Sequence, residues 1–108
     1  MSRDTFARVR TPLRGTVTVP GSKSVSNRAL VCAALSPQPG SVEGIAEGDD
    51  TLRMVAGLKV LGARLDAAGG SVRIESAIQC DARGTATIDA GLAGTTSRFL
   101  TAVAAVCE

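Results

Sequence analysis

The sequence predicts an α/β protein in which helices pack on one face of a sheet. The prediction depends first on the order of the elements, because strand-like and helix-like runs follow one another as β-α-β-α-β-β and then β-α, with glycine or proline between them. It depends also on size and composition, since 108 residues of which 44% are apolar are enough for one small domain with one core. Because Phe6 and Phe99 are the only aromatic residues, that core must be built from Ala, Val, Leu and Ile.

The first half of the chain is predicted to form a strand, a helix and a second strand. Polar and apolar side chains alternate over residues 15–19, with Val17 and Val19 as the apolar positions, which is typical of a strand. A proline–glycine pair follows, and Ser22 is a good N-cap for a helix over residues 23–35. The turn at 37–40 ends that helix, and a short strand is predicted over residues 41–45.

The second half adds a helix, a hairpin, a strand and a last helix. Asp49 and Asp50 are interpreted as N-caps of a helix over residues 51–61, which Gly62 ends. Four apolar residues at helical spacing predict one buried face there: Met54, Leu58, Leu61 and Leu65. Residues 63–67 and 71–75 are predicted to form a hairpin, followed by a strand over 85–90, a glycine-bearing turn over 91–94 and a helix over 95–107.

Composition excludes several classes of function. A net charge of +2, scattered arginines and scarce aromatic residues argue against a nucleic-acid-binding surface, and the absence of His excludes His-based acid–base chemistry. No run approaches the roughly 18 apolar residues of a membrane span, and the N-terminus has no apolar signal segment, so we expect a cytoplasmic protein. Cys32, Cys80 and Cys107 lack CxxC spacing and are expected to be free thiols in a reducing compartment.

Residues 21–28 combine two cations, several hydroxyls and the start of a helix. Backbone N–H groups at a helix N-terminus lack partners, and the helix dipole favours negative charge there. Ser24 and Arg28 are four residues apart and share a helix face, while Lys23 lies in the first turn, where it can reach a ligand at the helix end. From spacing alone, an anion-binding site and an ordinary capped helix start with solvated cations are equal alternatives.

Residues 91–98 repeat this arrangement at an offset of 91 − 21 = 70 residues. The offset places Arg98 over Arg28 and Leu100 over Leu30, and both segments run from a glycine turn through hydroxyl residues into an apolar helix. Two matching helix starts predict a repeated unit whose second copy begins here. The turn through Gly94 is either a tight connection or an anion-accepting one.

Two runs resemble signatures of the EPSP synthase (3-phosphoshikimate 1-carboxyvinyltransferase) family. Residues 21–30 resemble the first signature, residues 89–100 resemble the second, and Asp49-Asp50-Thr51 stands where the family has an acidic pair opening a helix. The resemblance extends over nearly the whole chain from Arg14 onward. It implies an inverted α/β prism fold, with residues 1–20 belonging with a second domain and residues 21–108 forming part of a substrate-binding domain.

The resemblance also implies a reaction and its residues. The carboxyvinyl group of phosphoenolpyruvate would move to the 5-hydroxyl of shikimate 3-phosphate with release of phosphate, in aromatic amino-acid biosynthesis and with no metal or organic cofactor. Lys23 would be catalytic and would touch both substrates, Ser24 and Arg28 would hold shikimate 3-phosphate, and Gly94 would offer its backbone to phosphoenolpyruvate. The full-length family enzyme is expected to be monomeric and to bind glyphosate around Lys23 and Gly94.

Two departures from the family matter. Leu92 stands where the family usually has Asn, so the resemblance does not explain how the turn at 91–94 is held. The family chain is several times longer, so we expect no turnover from these 108 residues alone. The alternatives are the related transferase that acts on UDP-N-acetylglucosamine, against which Ser26-Asn27-Arg28 argues, and a non-catalytic anion-binding module of the same fold.

Overall fold

The computed structural model describes residues 3–79 and 85–107, and its elements confirm the α/β prediction. The elements in chain order are α1 (Lys23–Leu35), β1 (Gly40–Glu43), α2 (Asp49–Val60), β2 (Arg64–Ala68), β3 (Ser71–Ser76) and α3 (Gly94–Ala105). Helix α1 has the predicted bounds, and Ser22 caps it as predicted, with its Oγ accepting from the backbone N–H of Val25 at 3.3 Å. The prediction for Cys80 lies outside the described residues.

The strands form an antiparallel sheet in the order β1-β3-β2. The predicted hairpin is confirmed, and its turn uses Gly69 and Gly70, with φ of 57° and 77°, a conformation that glycine adopts without strain. Along β3, Val72 and Ile74 are buried while Arg73 is exposed, so the sheet has one apolar and one polar face. Strand β1 ends earlier than predicted because Gly44 turns the chain with a φ of 68°.

The apolar face of the sheet is covered in two layers. Helices α1 and α2 pack against the strands, and α3 packs against α1 and α2 rather than against the sheet. The core joins residues from every layer: Leu30, Met54, Leu58, Val72, Ile74 and Leu100. Gly57 of α2 contacts Leu100 of α3 so closely that a Cβ at position 57 would overlap the Leu100 side chain. This contact holds α3 close against α2.

Two of the predicted strands are not formed within the part of the chain that the structure describes. Residues 15–19 and 85–90 have no ladder partner among residues 3–79 and 85–107, and Val17 and Val19 are 83% and 74% exposed. The alternation that predicted a strand at 15–19 was therefore misleading by itself, because a strand is stabilised by hydrogen bonds to a neighbour and alternation does not supply that neighbour.

The internal repeat has a structural counterpart at the starts of α1 and α3. Ser26 and Thr96, which the 70-residue offset superimposes, are both buried, and the hydroxyl of each forms a hydrogen bond to the backbone of a neighbouring segment. Leu30 and Leu100 are likewise both buried in the core. The repeated residues therefore perform equivalent packing roles in the two helices.

Candidate functional site

The N-terminal ends of the three helices meet through Asp50. The Asp50 carboxylate, in the first turn of α2, accepts from the Lys23 ammonium at the start of α1, with Oδ2 and Nζ 2.8 Å apart. Its backbone carbonyl accepts from the Thr96 hydroxyl in the first turn of α3 at 3.2 Å. Because each helix N-terminus carries partial positive charge, their convergence makes this end of the helix layer suited to anions.

The acidic pair does not cap α2 as predicted. The helix begins at Asp49 itself with Gly48 at the N-cap position, and no side chain caps it. The reason is that the Asp50 carboxylate faces Lys23 and the Asp49 carboxylate lies 3.5 Å from the Nε of Arg53. Both carboxylates still lie at the positive end of the helix dipole, where negative charge is favourable.

Lys23 is well placed to exchange partners. Its side chain is 63% exposed, whereas that of Asp50 is 25% exposed. An exposed ion pair is worth little free energy, about 0–1 kcal/mol, so an anion with more charge can compete for the ammonium.

Ser24 and Arg28 share a face of α1, as their spacing predicts. The Arg28 guanidinium contacts the Ser24 hydroxyl and donates to the Ser24 carbonyl at 3.2 Å. The structure adds Phe99 of α3, whose ring centre lies 5.7 Å from Arg28 Cζ in a cation–π contact. An aromatic ring seventy-one positions away in the chain thus limits where the guanidinium can point.

Two other residues of the first signature face inward. Ser26 and Asn27 are 5% and 0% exposed, and Ser26 Oγ accepts from the backbone N–H of Ala46 at 2.9 Å. The Ser26 bond attaches α1 to the segment that precedes α2, whereas the Asn27 side-chain amide is buried without a hydrogen-bond partner among the described residues. The signature is therefore divided between residues that face solvent and residues that hold the helix in place.

The turn at 91–94 is held by Asp89 instead of by residue 92. Asp89 Oδ1 accepts from the backbone N–H of Gly91 at 2.8 Å, and the N–H of Ala93 donates to the carbonyl of Ala90 at 2.9 Å. Leu92 is fully exposed, which explains how leucine is tolerated here. Gly94 is also exposed at the start of α3, where a Cβ would meet nothing within 4 Å, so its backbone is open to a ligand.

Arg53 supplies the charge that holds Asp89. Its Nη1 lies 2.9 Å from Asp89 Oδ2 and 3.4 Å from the Asp89 carbonyl oxygen. The Gly91 N–H and then the Arg53 guanidinium hold the pKa of Asp89 below its usual range, and the hydrogen bond and charge of Asp89 raise the pKa of Arg53. Asp89 is consequently ionised at neutral pH.

The sequence predicted four site residues, and the structure adds three neighbouring side chains that it did not predict. The structure brings Lys23 of α1 and, through Asp50 and Thr96, the first turn of α3 that contains Gly94 to the same end of the helices. Ser24 and Arg28 lie within the first two turns of α1. The missed residues are Asp50 as the partner of Lys23, Phe99 as the partner of Arg28, and Arg53. The scarcity of aromatic residues was the available signal for Phe99.

Within residues 3–79 and 85–107, no three His, Cys, Asp or Glu side chains are grouped closely enough to hold a metal ion. None of the helices in this part of the chain has the length and apolar character needed to cross a membrane.

Comparison with known proteins identifies the family. Residues 7–108 match the EPSP synthase (3-phosphoshikimate 1-carboxyvinyltransferase) family. The 3-phosphoshikimate 1-carboxyvinyltransferase of Mycobacterium ulcerans is 42% identical over 101 residues, which are 89% of this chain and 23% of that protein. The enzyme of the same name from Bifidobacterium longum is 41% identical over 96 residues, or 86% of this chain and 22% of the relative.

A solved structure gives the same result. EPSP synthase from Acinetobacter baumannii superimposes with a TM-score of 0.68 at 29% identity, over 81% of this chain and 20% of that one. The chain therefore spans about a fifth to a quarter of the length of these relatives. The match to the family over residues 7–108, together with the two signature runs, shows that the chain belongs to the EPSP synthase family.

Proposed function

We propose that this chain forms one wall of the active site of an enzyme that transfers the carboxyvinyl group of phosphoenolpyruvate to the 5-hydroxyl of shikimate 3-phosphate. The observation that carries the proposal is the link from Lys23 through Asp50 to Thr96, because it gathers the two signature runs at one end of the helices. The names of the relatives support the reaction, which belongs to the shikimate pathway.

The chemistry suits this end of the molecule. The 5-hydroxyl oxygen adds to C2 of phosphoenolpyruvate while a proton adds to C3, and the tetrahedral intermediate then loses inorganic phosphate and a proton to restore the double bond. Both substrates are polyanions, and negative charge builds on the departing phosphate. Preorganised cations and helix N–H groups stabilise such charge because they need no reorganisation during the reaction.

Each proposed role follows from position. Lys23 is the catalytic residue and touches both substrates, exchanging Asp50 for a phosphate or carboxylate oxygen. Ser24 and Arg28 hold shikimate 3-phosphate, the arginine through its two-pronged guanidinium. Gly94 offers its backbone N–H to phosphoenolpyruvate at the open start of α3.

The remaining parts of the proposal concern the longer protein. Residues 21–108 would be part of a substrate-binding domain, and residues 1–20 would pack with a second domain. The exposed apolar side chains of Val17 and Val19 support this second assignment. The complete enzyme would be a cytoplasmic monomer that binds glyphosate near Lys23 and Gly94, and the 108 residues alone would not turn over.

Titration of shikimate 3-phosphate into the ¹⁵N-labelled chain tests this function. We expect saturable amide shifts around Lys23, Ser24 and Arg28, and an affinity loss of about tenfold or more in Arg28→Ala, since a charge-assisted bond contributes roughly 1.5–3 kcal/mol. Arg64→Ala is the matched control, because Arg64 belongs to an exposed ion pair on the sheet, 3.9 Å from Glu75.

Three results would contradict the proposal. Shifts that appear with UDP-N-acetylglucosamine and not with shikimate 3-phosphate would favour the related transferase. No response to either ligand would favour a non-catalytic module. Substantial phosphate release from the 108-residue chain supplied with both substrates would overturn the expectation that it lacks turnover.

A further inference from the structure

We propose that Arg53 and Asp89 are positioning residues that clamp the turn at residues 91–94 in the conformation that presents the start of α3 to phosphoenolpyruvate. Neither residue touches the substrate in this proposal, which rests on the function proposed above. The clamp connects α2 to the segment that leads into α3. It assigns a role to two charged side chains outside the predicted set of site residues.

The first part of the clamp is the hydrogen bond from the turn to Asp89. Asp89 Oδ1 accepts from the Gly91 N–H at 2.8 Å, while the other oxygen, Oδ2, lies 2.9 Å from Arg53 Nη1. One carboxylate thus holds the turn with one oxygen and α2 with the other. Arg53 Nη1 also lies 3.4 Å from the Asp89 carbonyl oxygen, so both the side chain and the backbone of Asp89 are held.

The second part is the close approach of Arg53 to Gly91. A Cβ at position 91 would lie 3.1 Å from Arg53 Cζ and 3.1 Å from Nε, so the guanidinium lies directly against the glycine backbone. Gly91 also has a φ of 53°, a backbone conformation that residues other than glycine rarely adopt. Position 91 therefore favours glycine because of its φ, and a side chain there would also require the Arg53 guanidinium to shift by a few tenths of an ångström.

The third part is the anchoring of Arg53 itself. Its Nε lies 3.5 Å from Asp49 Oδ1, one helical turn earlier in α2, so acceptors on two segments fix one guanidinium. The Arg53 side chain is 34% exposed, compared with 76% for Arg64, which has a single carboxylate contact at 3.9 Å. The low pKa of Asp89 agrees with this geometry, because the Gly91 N–H and Arg53 both favour its ionised form.

The clamp matters because residue 92 cannot replace it. Leu92 has no polar side-chain atom and is fully exposed, so it contributes no hydrogen bond to the turn. Exposed ion pairs add little to global stability, which is why the proposal concerns the local conformation of the turn and not the free energy of unfolding.

Amide hydrogen exchange in the ¹⁵N-labelled chain tests the clamp without any ligand. We compare Arg53→Met, Asp89→Ala and Asp89→Asn with the control Arg64→Met, after checking that each spectrum is that of a folded chain. Exchange at Gly91 should accelerate about fivefold in Asp89→Ala, since a typical net hydrogen bond is worth roughly 1 kcal/mol, and about threefold in Arg53→Met, where the hydrogen bond itself is kept. Asp89→Asn keeps an oxygen that can accept from Gly91 and should remain within about twofold of the unmodified chain. Equal exchange at Gly91 in Arg53→Met, Asp89→Ala and Arg64→Met would overturn the clamp.

A phosphoenolpyruvate titration then tests the positioning role. The shifts of the Gly94 and Thr95 amides should give an affinity about 3- to 10-fold weaker in Arg53→Met and Asp89→Ala, with most of it restored in Asp89→Asn. Faster exchange with unchanged affinity would overturn the positioning role. If the unmodified chain does not bind phosphoenolpyruvate while the exchange results hold, the proposed function fails and the clamp stands.

Discussion

Gly57 allows α3 to approach α2, and alanine at this position should force the two helices apart. The added Cβ would overlap the Cδ1 atom of Leu100 and would lie 3.1 Å from the Cγ2 atom of Ile88. Leu100 is 3% exposed and belongs to the core, so its side chain has little room to move aside. The substitution also affects the site, because α2 and α3 carry the Asp50 carbonyl and the Thr96 hydroxyl that join 3.2 Å apart.

Two opposing effects decide the magnitude. Alanine in place of glycine inside a helix stabilises by about 1 kcal/mol through helix propensity. Overpacking in a well-filled core costs about 1–3 kcal/mol. We expect the steric cost to dominate because the overlap involves a buried core side chain. The net loss in the free energy of unfolding is then up to about 2 kcal/mol, which lowers the midpoint of thermal unfolding by up to roughly 10 °C for a domain of this size.

The assay is urea and thermal denaturation followed by far-UV circular dichroism, with a double-mutant cycle. Leu100→Ala alone should cost about 2–5 kcal/mol because it leaves a cavity. In the double variant the new methyl group occupies part of that cavity, so the combined loss should be smaller than the sum by about 1 kcal/mol or more. Ala56→Gly, on the exposed side of α2, measures the propensity effect alone.

The reasoning is refuted if Gly57→Ala raises the free energy of unfolding as propensity alone predicts, or if the two substitutions are additive. Either result would mean that α2 and α3 are not packed as closely as the Gly57–Leu100 contact indicates.

Three further predictions concern single contacts. Phe99→Leu should weaken shikimate 3-phosphate binding about threefold by freeing Arg28, since an exposed cation–π contact is worth roughly 0.5–1 kcal/mol; equal affinities in an NMR titration would contradict it. Ser26→Ala should lower the free energy of unfolding by about 1–2 kcal/mol in urea, because the part-buried Ala46 N–H loses its acceptor; a loss no larger than that of exposed Ser24→Ala would contradict it. The Gly91 N–H and Arg53 lower the pKa of Asp89 in the folded chain. The stabilisation that ionised Asp89 provides is therefore fully present above the ordinary aspartate pKa of about 4, and it is lost as the pH falls through the lowered pKa of the folded chain. The Gly91 amide shift should therefore titrate below pH ~4, and a midpoint above that value would refute the assignment.

The sequence predicted the candidate site where its signals are local. Ser24 and Arg28 were placed on one face because a helix brings residues four apart together, and the structure agrees. The partners of those residues were not predicted, since Phe99 approaches Arg28 only through the packing of α3 on α1. The role of Asp50 was misread for the same reason, because an acidic residue before a helix is usually a cap unless a cation from another element is near.

The sequence by itself determined α1 with its Ser22 cap, the hairpin around Gly69 and Gly70, and membership of the EPSP synthase family. These depend on interactions within a few residues or on an ordered run of residue types. The tertiary structure decided which residues meet across the chain: Asp89 and Arg53, 36 positions apart, and Thr96 and Asp50, 46 positions apart. It also decided that residues 15–19 have no neighbouring strand within the described chain. The physical reason is that caps and turns are satisfied locally, whereas ion pairs, ring contacts and strand ladders need a partner that packing alone supplies.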